Sequence, residues 1–178
     1  MERKAQQSPW RIRRPEAGDQ EVVEAVVAEA FSRYLPRMDR KPFPMLDDYG
    51  AHIRAGRAFV LEEGEGAAGA GNGAIRGCLV LLPGEPGEMW LDVVAVSGGL
   101  QGRGYGRALV DFALRHAKAL GCPRLKLYTN EVMVEAQAFY TRLGFTETHR
   151  ALDAGYRRVF YVRREVEGES PKHNDKHR

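Results

Sequence analysis

A nearly continuous apolar run, Met89 to Val96, leads into Gln101-Gly102-Arg103-Gly104-Tyr105-Gly106 and then into a stretch whose hydrophobicity has helical period. No other part of the chain constrains the fold as strongly. A strand that is apolar at almost every position is buried on both faces, in the middle of a sheet. Beyond it, Tyr105, Ala108, Leu109, Phe112, Ala113, Ala117 and Leu120 form a stripe opposite Arg107, Asp111, Arg115 and Lys118. Gly121 supplies a left-handed helix end and Pro123 prevents continuation. A central strand feeding an amphipathic helix is the nucleus of an α/β arrangement.

The glycines between strand and helix sit at alternate positions, where the backbone can approach a ligand and aim several amides at one point. The helix adds its positive N-terminal end. Two readings fit these six residues: a phosphate cradle with Arg103 and Arg107 at its rim, or a tight strand-to-helix turn. A P-loop would need lysine and then serine or threonine after the glycines. A dinucleotide fingerprint would need G-x-G-x-x-G, whereas the spacing here is G-x-G-x-G.

The flanking sequence extends the pattern. Trp10-Arg11-Ile12-Arg13 alternates as a half-exposed strand does. Asp19 is placed to cap a helix carrying Val23, Val26, Val27, Ala30, Phe31 and Tyr34 on one face. Prolines 36, 42 and 44 make 35–45 a loop, with a short helix expected over Leu46–Ala55. Strands are expected at Ala58–Glu62 and Ile75–Leu82, joined by the glycine-rich EGEGAAGAGNG as a flexible hairpin connection. Leu125–Thr129 reads as a strand and Val132–Leu143 as a helix ended by Gly144. Phe145–Arg150 and Arg158–Arg164 read as two last strands. The expected fold is a mixed α/β sheet of about seven strands with helices on both faces.

At 178 residues the chain is long enough for one domain with a real core. Residues 1–9 read as a flexible start, 10–166 as the domain, and the polar 167–178 as a disordered tail. The formal charge of +3 is too small to indicate nucleic acid. Two cysteines without paired spacing suggest neither a disulfide framework nor zinc, and Cys78 reads as a small core residue. Leu79–Leu82 is far too short to cross a bilayer, and no secretory signal is apparent, so a cytoplasmic protein is expected.

Two blocks add a resemblance. VAVSGGLQGRGYGRALVDFAL resembles the GCN5-related N-acetyltransferase (GNAT) pattern V-x-P-x-x-(Q/R)-x-x-G-x-(G/A), with Gly98 where proline is common. AQAFYTRLGFTETHR resembles the family's A-x-x-(F/L)-Y-x-x-x-G-F segment. The two stand in family order, about 30 residues apart, and the resemblance covers roughly residues 10–164.

It implies acetyl-CoA as co-substrate, with no metal, and an N-acetyltransferase that acts by direct amine attack on the thioester. The pantetheine arm would lie along Val94, Ala95 and Val96, with an amide near Ala95 or Val96 polarising the thioester carbonyl. The pyrophosphate would sit on Gln101, Gly102, Arg103, Gly104, Tyr105 and Gly106. Tyr140 would protonate the departing thiolate. Many relatives carry an asparagine where this chain has Met133, and Asn130 is the expected substitute.

Asp92 is the first candidate for the base that deprotonates the amine, because a carboxylate in an apolar strand has either a partner or a task. Glu131 is a weaker candidate. His52, His116 and His149 lack ligand spacing and read as surface or packing residues. The acceptor, a small-molecule amine or a protein amino group, would dock against the loop from Arg33 to Asp48 and the two last strands. A homodimer is compatible with the resemblance; neither nucleic acid nor membrane is expected. Two other functions use the same glycines: an acyl-CoA-binding sensor without catalysis, and a nucleotide-binding domain.

Overall fold

In the computed structural model, which describes residues 9–64 and 73–164, the strands form one sheet in the order β1-β2-β3-β4-β5-β7-β6. They are β1 (Trp10–Arg13), β2 (Ala58–Glu63), β3 (Ala74–Pro83), β4 (Glu88–Val96), β5 (Arg124–Asn130), β6 (Thr146–Asp153) and β7 (Tyr156–Arg164). Every neighbouring pair is antiparallel except β4 and β5. The helices are α1 (Gln20–Ser32), α2 (Tyr49–Arg54), α3 (Tyr105–Ala119) and α4 (Val134–Arg142). The expected mixed sheet with helices on both faces is what forms. The expectations for residues 1–8, 65–72 and 165–178 fall outside the described residues.

Each face of the sheet carries its own core. Leu79, Leu91, Leu125 and Leu127 pack with Leu109, Val110 and Ala113 of α3. Val60, Val80, Val93 and Ala95 pack on the other face with Val23, Val26 and Val27 of α1 and Tyr49 of α2. Cores on both sides explain why β4 is apolar at nearly every position. Leu109 is wholly buried, and truncating such a leucine to alanine typically costs about 2–5 kcal/mol. Cys78 is a core residue as expected, and burial pushes its thiol up to about 12.

Local expectations need two adjustments. Asp19 precedes α1, but its carboxylate does not cap that helix. It accepts from the Glu16 amide at 2.9 Å and from Arg13 Nη1 at 2.8 Å, closing the preceding 3-10 turn. The charge of Arg13, at the end of β1, outcompetes the helix amides for it. The second helix is also shorter than expected. Its true cap is Asp48, whose Oδ1 accepts from the Ala51 amide at 2.9 Å.

One irregularity in β4 shapes the whole centre of the molecule. Pairing with β3 passes from Val80–Val93 to Leu81–Leu91, so Asp92 is the extra residue of a β-bulge. Leu91 therefore faces the α3 core while Val93, two residues on, faces the α1 core. Pairing with β5 is confined to Glu88–Trp90 against Arg124–Lys126. Beyond Trp90 the two central strands separate, and a cleft opens between them.

Candidate active site

The cleft is a cavity of about 800 Å³. Val94, Ala95 and Val96 line one wall, and Tyr128, Thr129 and Asn130 line the other. The Ser97 amide donates to Arg76 O at 2.8 Å, across the β3 edge. Amide direction alternates along an antiparallel strand, so the Ala95 N–H also points to β3, opposite Cys78. The amides of Val94 and Val96 point the other way, toward the strand that has moved off. Of the three residues expected to meet the pantetheine, Ala95 thus spends its backbone groups in the sheet. The two valines keep theirs for the cleft.

At one end of the cavity lies the glycine segment. Gly102 and Gly104 have φ of +84° and +85°, and a Cβ on either would enter open space. Gly106 is small for another reason: a Cβ there would come within 3.2 Å of Phe139 Cζ on α4. The first amide to donate back into α3 is that of Ala108, to Gly104 O at 3.0 Å. The amides before it are those a helix N-terminus leaves unpaired, and they gather beside the cavity. Gln101, Gly102, Gly104, Gly106 and Arg107 line it; Arg103 is exposed outside that lining. The Tyr105 side chain is buried, its hydroxyl donating to Glu63 Oε1, so it offers the cleft backbone only.

α4 closes the same end. Tyr140 lines the cavity, its ring edge-on to Phe139 and Phe145 at 5.1 and 5.6 Å, and burial pushes its phenol well up. Such a phenol stays protonated and can donate. Met133 is buried at the start of α4. Asn130 Oδ1 accepts from the Val132 amide at 3.1 Å, holding the turn into that helix. Only its side-chain nitrogen is left for a ligand.

Arg33, Arg37, Glu135 and Gln101 tie three elements together across the cleft mouth. Arg37 binds Glu135 through two bonds of 2.7 Å, and Arg33 donates to Gln101 Oε1 at 2.9 Å while lying 3.3 Å from Glu135. The two arginines hold the Glu135 carboxyl down at about 2, Arg37 through its hydrogen bonds above all.

Asp92 faces the opposite end. Burial pushes its carboxyl up, while the Tyr128 hydroxyl, donating to Oδ1 at 3.1 Å, opposes that rise. Asp47 from the loop before α2 pushes it further up, and His52 and Arg158 pull it down. His52 Nε2 lies 2.8 Å from Asp47 Oδ2, and one donor atom from each of Asp47, His52 and Asp92 lies within 4.8 Å of the others. His52 Nδ1 is buried without a partner among the described residues.

His52 thus stands close to Asp92 without lining the cavity, and its ring packs edge-on against Tyr49, as its reading as a packing residue expects. No sequence spacing could have signalled its nearness to Asp92, which comes from a strand 40 residues away. His116 and His149 pack too, stacked on Phe112 and Phe160. Glu131 sits outside the cavity lining, beside Arg157 at 3.8 Å. The loop expected to receive an acceptor lines the cavity through Tyr34, Met38, Phe43 and Pro44, joined by Tyr156 and Arg158 of β7. β6 does not reach it.

With this geometry in hand, the likenesses to other proteins are informative. The sequence model described as "Acetyltransferase (GNAT) family" matches residues 20–145. A mycothiol acetyltransferase from Parafrankia sp. (strain EAN1pec) is 41% identical over 76 residues, 43% of this chain and 22% of that protein. One from Streptomyces avermitilis is 42% identical over 71 residues, 40% of this chain and 22% of that protein. The match thus spans less than a quarter of these relatives' length. Among solved structures, Ard1 from Thermoplasma volcanium superimposes with a TM-score of 0.68 at 19% identity, covering 90% of this chain and 100% of that one. The PaiA N-acetyltransferase from Thermoplasma acidophilum, solved with coenzyme A, gives 0.65 at 13% identity over 86% and 98%. At these identities the structures speak to the fold. No helix among the described residues is long and apolar enough to cross a membrane.

Proposed function

The chain belongs to the GNAT acetyltransferase family, and from that premise we propose that it moves an acetyl group from acetyl-CoA to a primary amine within the cleft between β4 and β5. The observation that carries this reading is the parting of β4 from β5 beyond Trp90. It leaves the unpaired amides of Val94 and Val96 facing the same cavity as the amide cluster at the start of α3.

In this reading the pyrophosphate of CoA lies on the amides from Gln101 to Gly106 and the pantetheine arm runs along Val94 and Val96. The Val96 amide, or that of Val94, donates to the thioester oxygen as it gains charge. Fixed donors of this kind lower the barrier because they need no reorganisation during reaction. Asp92 takes a proton from the acceptor's ammonium, directly or through water, and the neutral amine so freed attacks the thioester carbon. Its raised carboxyl suits that role, since a base works best when its pKa approaches the working pH. Tyr140 gives its proton to the departing thiolate.

Ligand-induced stabilisation tests the reading. Acetyl-CoA at 100 times its dissociation constant stabilises a folded protein by about 2.7 kcal/mol. For a domain of this size that raises the melting temperature by about 5–10 °C. NAD and ATP should do much less, and an equal shift with ATP would favour the nucleotide-binding alternative.

A further inference from the structure

Arg158 is a buried charge facing the acceptor end of the cavity. It is 8% exposed and lies in β7, with its guanidinium 4.0 Å from the centre of the Tyr128 ring. Phe43 and Tyr156 flank it at 5.8 and 5.7 Å. Its one ionic partner among the described residues is Asp153, bonded through Nη1.

A guanidinium carries five N–H donors. Nε and Nη2 of Arg158 have no acceptor among the described residues, yet they are not sealed in. The enclosed side-chain atoms without partners there are His52 Nδ1 and Thr129 Oγ1. Arg158 lines the cavity, where donors neither bonded within the protein nor sealed off can meet a ligand. Burying a charge with a single acceptor is costly unless something completes its hydrogen bonding.

Tyr128 connects this charge to Asp92. Its hydroxyl donates to Asp92 Oδ1 at 3.1 Å, and its ring face carries Arg158. A carboxylate suited to receive an ammonium and a guanidinium suited to receive an anion thus stand one tyrosine apart in the same cavity. A molecule with an amine and a carboxylate one or two carbons apart can offer its amine to the one and its carboxylate to the other. Planar, two-pronged donation is what a guanidinium offers a carboxylate.

We infer that the acceptor is a small amino acid, its amine directed to Asp92 and its carboxylate held by Arg158. The inference rests on the acyl-transfer reading above and narrows it: amines without a carboxylate, and protein amino groups, are disfavoured. Because Phe43 and Tyr156 flank Arg158, an apolar side chain on that amino acid fits its surroundings.

The experiment compares amino acids with their decarboxylated counterparts. L-phenylalanine is paired with phenethylamine, and L-leucine with isoamylamine, as acceptors for the full-length protein with acetyl-CoA. The amino acid of each pair should be favoured in kcat/KM by about tenfold to a hundredfold, the worth of a charged hydrogen bond. Arg158→Gln should erase most of that preference by raising KM for the amino acid, with a far smaller effect on its counterpart. Arg158→Lys should restore part of it. Retained acetyl-CoA binding verifies that each variant is folded.

A second readout needs no turnover. N-acetyl-L-phenylalanine and N-acetylphenethylamine are titrated by calorimetry into the CoA-saturated protein. Tighter binding of the carboxylate, lost in Arg158→Gln, supports the inference even if no acceptor is turned over. Equal use or equal binding of both members of each pair overturns it. So does an Arg158→Gln variant that weakens both alike. Failure of acetyl-CoA to bind at all would instead strike the acyl-transfer reading.

Discussion

The Tyr128 hydroxyl on β5 donates to Asp92 in the bulge of β4 at 3.1 Å, bridging the two central strands where their own hydrogen bonds have ended. The bulge turns an acidic side chain out of an apolar strand, and the parting of the strands gives it space. Asp92 thereby has both a partner and room for a task.

The pH dependence of turnover should report this arrangement. Burial raises the Asp92 carboxyl, so its basic form accumulates at higher pH than that of an ordinary carboxylate. On the acid side kcat/KM should rise with pH, and the midpoint should lie above the usual value of about 4. The groups facing Asp92 are Tyr128, Asp47, His52 and Arg158. Tyr128→Phe removes a bond that favours the ionised form and should move the midpoint up. Asp47→Asn removes a like charge and should move it down. Asp92→Asn should lower kcat by about 10²–10⁴. A limb that stays in place in both neighbouring variants belongs to another group.

Gly104 tests the cradle. Its φ of +85° is unfavourable for any side chain, and the space beside it is open within the protein. Gly104→Val should cost a modest amount of stability while placing a branched side chain where the pyrophosphate would lie. Calorimetry should detect little or no acetyl-CoA binding by a variant that still melts cooperatively. Unchanged affinity would mean that the phosphates bind elsewhere, and loss of folding would favour the tight-turn reading.

Tyr140→Phe separates catalysis from binding. The ring keeps its contacts with Phe139 and Phe145, so acetyl-CoA should bind nearly as before. Turnover should fall by about 10²–10⁴, with the lower end expected where water replaces the phenol. The fall should appear in kcat, because the proton matters only as the thiolate leaves. An unchanged rate in single turnover, with chemistry limiting, would remove Tyr140 from the mechanism. A wild-type protein that binds acetyl-CoA yet acetylates no amine would point to the sensor alternative.

The two cysteines should differ sharply toward a thiol reagent. Cys78 is enclosed in the α1 core and burial pushes its thiol up to about 12, whereas Cys122 is half-buried beyond the end of α3. Native protein should release colour from Cys122 well before Cys78, and denatured protein from both at similar rates. Comparable rates in the native state would show that the α1 core opens readily.

What the sequence determined by itself was everything written in local period and local chemistry. The apolar run of β4, the alternate glycines and the stripe of α3 specify a strand, a tight glycine-rich turn and a helix. They do so because each depends on neighbours a few residues away. Gly102, Gly104 and Asp92 were legible as candidates on that basis, and Tyr140 through the resemblance of its segment to a family pattern. Tertiary structure alone decided what those elements enclose. The register shift at Asp92 depends on how β4 packs between two cores, and it selects the amides of Val94 and Val96 over that of Ala95. Arg158 reaches the cavity from β7, and His52 of α2 comes up beside Asp92, the two lying on either side of Asp92 in the chain. Each looks unremarkable among its sequence neighbours. Electrostatic coupling acts through space, and only the packing of α2 and β7 near the parted strands brings those side chains within range of Asp92.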